Sequence, residues 1–257
     1  MHEILLVAVL ACAAYTVKGI TGAASAVVFN TGLLLALAFG LAGNFTLQDG
    51  LAWVALTDAA TGLFMLVLLR REVKAEPLTL RMLAGLLPTC VLFTVVLSLS
   101  APEVLGMVLA IVLALCGLWL CLRRDAFGSM PIDRAKTLAI PTGLLAGVIG
   151  GLFGMAGPIT FLLLGPASRD PGEFRRRTVF LFALVNLVRV TQLASMGQYT
   201  NQRLLMAAWT LPVVACSTLV GMALHRYIKP SPFRIGLGMV VMVAGAVALW
   251  KLLQPVS

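Results

Sequence analysis

Three ionisable side chains, Lys18, Asp58 and Arg189, stand inside stretches that are otherwise apolar. If those stretches cross a bilayer, each charge costs about 2.5–3.5 kcal/mol to insert and marks a functional candidate. Arg189 follows Asn186 by one helical turn and precedes Gln192 by three residues, so the three share one polar face of a helix. A guanidinium on such a face can hold a sulfonate, sulfite or carboxylate through two parallel hydrogen bonds; the other role open to it is a structural ion pair with Asp58. Asp58, beside Thr57 and Thr61, can instead carry a proton if burial favours its neutral form, which would make it a coupling site. The Lys18 ammonium either meets an anion or snorkels to an interface.

A second group of candidates is made of glycines. Lys18-Gly19-Ile20-Thr21-Gly22-Ala23-Ala24-Ser25 and Gly147-Val-Ile-Gly-Gly-Leu-Phe-Gly-Met-Ala-Gly-Pro158 each interrupt an apolar segment. A broken helix is tolerated in hydrocarbon only where its freed backbone faces protein or a watery cavity, and paired breaks point to a transporter's binding site. A helix that restarts after a break offers unpaired N–H groups and about half a positive charge to an anion. Gly19, Gly22 and Ser25 in the first stretch, and Gly151, Gly154, Gly157 and Pro158 in the second, are therefore substrate-binding candidates, with Pro158 suited to the first turn of the restart. The competing reading is that the glycines let helices pack closely. Asn30 is a further polar candidate, or else satisfies backbone freed by the first break.

The elements that must position these residues follow from composition. Of 257 residues 60% are hydrophobic and 11% charged, and the mean hydropathy is +1.02, which excludes an ordinary water-soluble domain. Apolar stretches and their breakers predict ten helical segments, roughly 4–18, 26–41, 48–69, 79–99, 102–122, 137–152, 156–165, 177–195, 203–224 and 234–253. The N-terminal apolar run lacks the basic flank of a signal peptide and reads as the first helix. Trp53, Trp119, Trp209 and Trp250 fall near segment ends, as interfacial anchors do. Cys12, Cys90, Cys116, Cys121 and Cys216 have no metal-site spacing and read as packing residues.

Five segments fall in each half, divided by the polar stretch 123–136. The expected organisation is a first transmembrane repeat over 1–122, a linker over 123–136 and a second repeat over 137–257. A shift of 132 residues lays Gly19 on Gly151, Gly22 on Gly154, Ala24 on Ala156 and Phe29 on Phe161. Basic residues concentrate in four places: Arg70 to Arg81, Arg123 to Lys136, Arg169 to Arg177, and Arg226 to Arg234. Loops 42–47, 99–102 and 196–202 carry none, so the positive-inside rule puts the four basic loops in the cytoplasm and these three outside. Following the crossings, the first two segments enter and leave on one side, as do the sixth and seventh, either as short spans or as re-entrant pairs. The second half then runs opposite to the first, and both termini lie outside, with Lys251 an exception to the charge rule.

The second glycine stretch, Gly147 to Pro158, and the two-halved layout resemble the sulfite exporter TauE/SafE family, also called the four-toluene sulfonate uptake permease family. The first stretch, Gly19 to Ala26, departs from that pattern in lacking the glycine cluster and the proline. The resemblance implies a small anion as substrate, sulfite or an organosulfonate. The chain is thus expected to be an all-α polytopic protein of the cell membrane, two inverted-topology repeats each opening with a broken Gly-rich helix pair followed by three transmembrane helices. It is expected to act as a secondary transporter by alternating access; the alternative is a non-transporting scaffold or assembly subunit. Enzyme chemistry lacks its residues: the chain has two histidines, His2 and His225, and no clustered carboxylates. No catalytic residue, cofactor, metal or nucleic acid is expected. Lipid is a partner by necessity, a proton or sodium is a candidate coupling ion, and a homodimer is compatible with the sequence.

Overall fold

The computed structural model describes residues 2–122, 127–225, 227 and 230–253. Among these it contains ten helices: α1 His2–Thr21, α2 Ser25–Ala38, α3 Leu47–Leu68, α4 Pro77–Leu99, α5 Pro102–Leu122, α6 Ile132–Phe153, α7 Gly157–Ala167, α8 Pro171–Ser195, α9 Asn201–Leu224 and α10 Pro230–Leu253. Eight are long and apolar enough to cross a membrane. The two others, α2 with 14 residues and α7 with 11, reach about 21 Å and about 17 Å at 1.5 Å per residue, short of the roughly 30 Å hydrocarbon layer. The protein is a multi-pass membrane protein. Its outward surface agrees, since Leu5, Leu99, Leu122, Leu145 and Val240 are all exposed.

Each predicted segment falls on one helix, but two helices begin earlier than their apolar content does. α8 starts at Pro171 behind Asp170, whose side chain accepts the Glu173 N–H as an N-cap, and α6 starts at Ile132 behind Pro131. Asp133, Arg134 and Lys136 therefore ride on the first turns of α6, and the connection between halves ends at Pro131. Arg123, Arg124, Arg226 and Lys229, part of the charge pattern, lie outside the described residues.

α1 packs against α9 and α6 against α4, while α3 packs against α8 and α5 against α10. Exchanging the first five helices for the last five maps each of these pairs onto another or onto itself. The halves are interlaced, because α1 and α6 each lie on a helix of the other half. Small residues make the approach close: a Cβ on Gly19 would stand 2.8 Å from the Gly221 Cα on α9, and one on Gly151 would stand 2.6 Å from the Cys90 carbonyl on α4.

Contacts between loops sort them onto two faces. On one, Arg176 and Arg177 of α8 reach Glu72 and Glu76 before α4, and the Gly128 N–H donates to the Ser168 carbonyl. On the other, Arg203 of α9 meets Asp49 of α3, and Glu3 accepts the Asn44 N–H. The start of α1 and the end of α2 thus share a face, as do the start of α6 and the end of α7. Lys251 lies 5.4 Å over the Phe39 ring, at the end of α2.

Trp53 corrects an expectation. It is 1% exposed, stacks on Phe29 at 4.6 Å and donates its indole N–H to Thr210, so it is a core residue and not an interfacial anchor. Trp209 and Trp250 do lie exposed.

Candidate functional site

Both breaks are built the same way. The Gly22 N–H donates to the Lys18 carbonyl at 2.7 Å and the Gly154 N–H to the Gly150 carbonyl at 2.8 Å, with φ of 79° and 73° respectively. A left-handed residue closing the last turn suits glycine, which has no Cβ to clash. These two glycines are the pair superimposed by the 132-residue shift.

The helices restart beside each other. A Cβ on Gly157 would lie 3.8 Å from the Ala24 backbone nitrogen, and one on Gly154 would lie 3.5 Å from the Ala26 Cβ. Asn30 on α2 donates its side-chain N–H to the Phe153 carbonyl at 2.8 Å, satisfying one of the orphan acceptors at the end of α6. Between the breaks lies a small, partly open cleft. Gly22 to Val27 and Gly154, Met155 and Gly157 line it, so both helix N-termini open onto it; Lys18, Asp58, Phe182 and Asn186 complete the wall.

The ionisable residues divide in two. Lys18 is 4% exposed and bonds to Asp58 Oδ1 at 2.7 Å, to the Asp58 carbonyl at 3.2 Å and to Thr61 Oγ1 at 2.7 Å. An ammonium has three donors, and all three are engaged on α3. Ser25 Oγ donates to the same Asp58 oxygen at 2.7 Å, tying the start of α2 to this pair. Arg189 is 1% exposed, yet its Nε, Nη1 and Nη2 have no hydrogen-bond partner. Its Nη1 stands 2.6 Å from where a Cβ on Gly154 would be, so only glycine there leaves the guanidinium its place. A buried guanidinium with every nitrogen unpaired is costly unless a ligand completes it.

Tyr199, in the loop before α9, donates to the Ala52 carbonyl at 3.3 Å. Burial pushes its phenol up to about 12, against the pull of Arg189 and Arg203, so it remains a neutral donor.

Residues 6–248 match the family described as Sulfite exporter TauE/SafE. The chain belongs to that family. A curated relative, the probable sulfite/organosulfonate exporter TauE of Cupriavidus necator, is 28% identical over 178 residues, covering 65% of this chain and 68% of the relative. No solved structure matches.

In this TauE/SafE protein the sequence candidates do not all meet. Lys18, Gly22, Ser25, Asp58, Gly154, Gly157 and Asn186 line the cleft, and Arg189 adjoins it through Gly154. Pro158 is buried in the first turn of α7, behind the lining. Gly19 and Gly151 face α9 and α4 as packing residues. Gln192 donates its amide N–H to the Val91 carbonyl at 2.7 Å, bracing α8 on α4, while its Oε1 is buried without a partner. Asp58 pairs with Lys18, not with Arg189. The altered first motif keeps its turn at Gly22 and gains Ala24, the one non-glycine residue among those described with positive φ, 72°. Sequence reasoning passed over Phe182, although it sits four residues before Asn186 on the same helical face.

Proposed function

We propose that this TauE/SafE protein is a secondary transporter that moves a small sulfur oxyanion, sulfite or an organosulfonate, across the membrane by alternating access. The observation that carries the reading is Arg189: a guanidinium buried to 1% exposure with no protein partner, beside a cleft onto which two helix N-termini open. Its five N–H donors match the several oxygens of a sulfonate or sulfite. The N–H groups at the starts of α2 and α7 supply further donors and partial positive charge, and Asn186 adds a polar side chain one turn from Arg189. Lys18, its donors held on α3, serves to fix Asp58 and, through Ser25, the first half-helix. The name of the Cupriavidus necator relative favours sulfite and organosulfonates as cargo and export as the direction.

The exchange of α1–α9 for α6–α4 packing supports two repeats, and the starts of α3 and α8 on opposite faces support their opposite sense, with the breaks as the shared centre. Rocking of the group that holds α1 and α9 against the group that holds α4 and α6 would then expose the cleft to each face in turn.

Flux of radiolabelled sulfite and sulfoacetate into proteoliposomes tests the reading. Native protein should transport at least one of them, and Arg189→Gln should lower the maximal rate at least tenfold while remaining monodisperse in detergent. Arg189→Lys should recover only part, because an ammonium lacks the planar fork. Equal flux in native and Arg189→Gln protein would refute the assignment of Arg189.

A further inference from the structure

Two residues of α8 are arginines with unpartnered nitrogens, and they stand on one face of the helix. Arg175, Thr178, Phe182, Asn186 and Arg189 succeed one another at spacings of three or four residues, which in a helix is a single stripe. Each touches or lines the cleft region. Arg175 Cγ and Thr178 Oγ1 lie 2.9 Å and 3.2 Å from where a Cβ on Gly22 would be; Phe182 and Asn186 are in the cleft wall; Arg189 abuts Gly154.

Arg175 differs from its neighbours in the same turn. Arg177 is bonded to Glu76, Glu173, Ser168 and the Ala167 carbonyl, and Arg176 reaches Glu72. Arg175 has its Nε and Nη2 enclosed with no hydrogen-bond partner. The run Arg175 to Arg177, part of one basic cluster in the sequence, thus holds two arginines paired with carboxylates and one whose stem packs on the first break.

We propose that Arg175 is the entry residue of the transport path: it receives the sulfur oxyanion at the end of the cleft beside the basic loops and passes it along α8, over Phe182, to Arg189. This rests on the transport reading above. Fourteen residues separate the two arginines, about 21 Å along the helix, too far for one small anion to bridge. They are therefore successive stations. A positive charge at the end of a cleft with low-dielectric walls concentrates anions there, while Phe182, between the stations, offers no charge on which the anion would rest.

The test is initial-rate flux of radiolabelled sulfite supplied to the face that carries the basic loops, for native protein, Arg175→Gln, Arg175→Lys and Arg189→Gln. Arg175→Gln should raise KM about tenfold at low ionic strength and only about twofold near 0.5 M salt, with the maximal rate retained, because the lost effect is a screened attraction. Arg175→Lys, which keeps the charge and guards against a folding defect, should restore most of the native KM. Arg189→Gln should instead lose maximal rate. A native KM in Arg175→Gln at every salt concentration, or in Arg175→Lys a KM no better than that of Arg175→Gln, overturns the entry role and leaves the transport reading standing. Absence of flux of both sulfite and sulfoacetate in folded native protein overturns both readings.

Discussion

Arg203, at the start of α9, donates from Nε to Asp49 Oδ1, 2.6 Å away at the start of α3. The helices that α9 and α3 map onto when the first five are exchanged for the last five, α4 and α8, are joined on the opposite face by Arg177 and Glu76 at 2.7 Å. Asp49 has a second task, since its carboxylate also receives the Thr46 N–H and hydroxyl while Thr46 caps the Asp49 N–H. Losing Arg203 removes a part-exposed bridge and part-exposed bonds from Nη1 to the Gln198 carbonyl and Oε1, about 1 kcal/mol in all; losing Asp49 removes the bridge and a capping box, about 2 kcal/mol. Chemical unfolding in detergent should therefore rank Asp49→Ala below Arg203→Ala, and the double variant should match Asp49→Ala more closely than the sum of the two. Equal effects of the single variants would contradict the capping role.

The Lys18–Asp58 pair predicts a stronger coupling of the same sign. Both side chains are almost fully buried, so removing one leaves an uncompensated charge, at a cost of about 3–5 kcal/mol. Lys18→Met and Asp58→Asn should each unfold well below the native protein, and the double variant should recover more than half of the loss. Additive losses in the double variant would mean that the pair is not the reason for the buried charges.

Much of this architecture was legible in the sequence, for physical reasons that also explain the failures. Helix positions follow from the length of apolar runs, which the bilayer enforces, and the shared turn at Gly22 and Gly154 follows from a backbone geometry that strongly favours glycine. Loop charge sorted the loops near 42–47, 70–76, 128–131, 168–177 and 196–202 as their contacts do. Partner choice was not legible: Asp58 had two cations available, and only the close packing of α1 on α9 and the placing of α3 beside them decide for Lys18. Trp53 was misjudged because a helical face can point at a neighbouring helix as readily as at an interface, and the Gln192 amide N–H reaches α4 for the same reason. Arg175 was hidden in a run of three arginines, where composition reads charge and structure reads direction.

The glycines divide by role, and substitution should separate them. A Cβ on Gly19 would sit 2.3 Å from the Thr218 carbonyl, so Gly19→Ala should lower stability by about 1–3 kcal/mol through overpacking and leave the KM of the folded fraction unchanged. At Gly154 the added Cβ would meet Arg189 Nη1 at 2.6 Å, with φ at 73°. Gly154→Ala should therefore damage transport more than stability, lowering the sulfite flux of folded protein at least fivefold. Sulfite flux compared with unfolding midpoints, variant by variant, checks the division; a Gly154→Ala protein with native flux would place Arg189 away from the path.

Ala24 offers the sharpest test of the first break. It holds φ of 72° at the N-cap of α2 without a side-chain hydrogen bond to compensate, where the left-handed conformation costs an L-residue about 1–2 kcal/mol. Ala24→Gly removes that strain but loosens the unfolded chain, which offsets about 0.4–1 kcal/mol. The net gain should be below about 1 kcal/mol. Ala24→Val retains the strain and adds a branched side chain against the neighbouring turn at Gly157, so it should lose more than about 2 kcal/mol. Unfolding midpoints should thus run Gly at or above Ala, and Ala well above Val. A valine variant as stable as the native protein would mean that Ala24 does not hold the left-handed turn from which α2 starts.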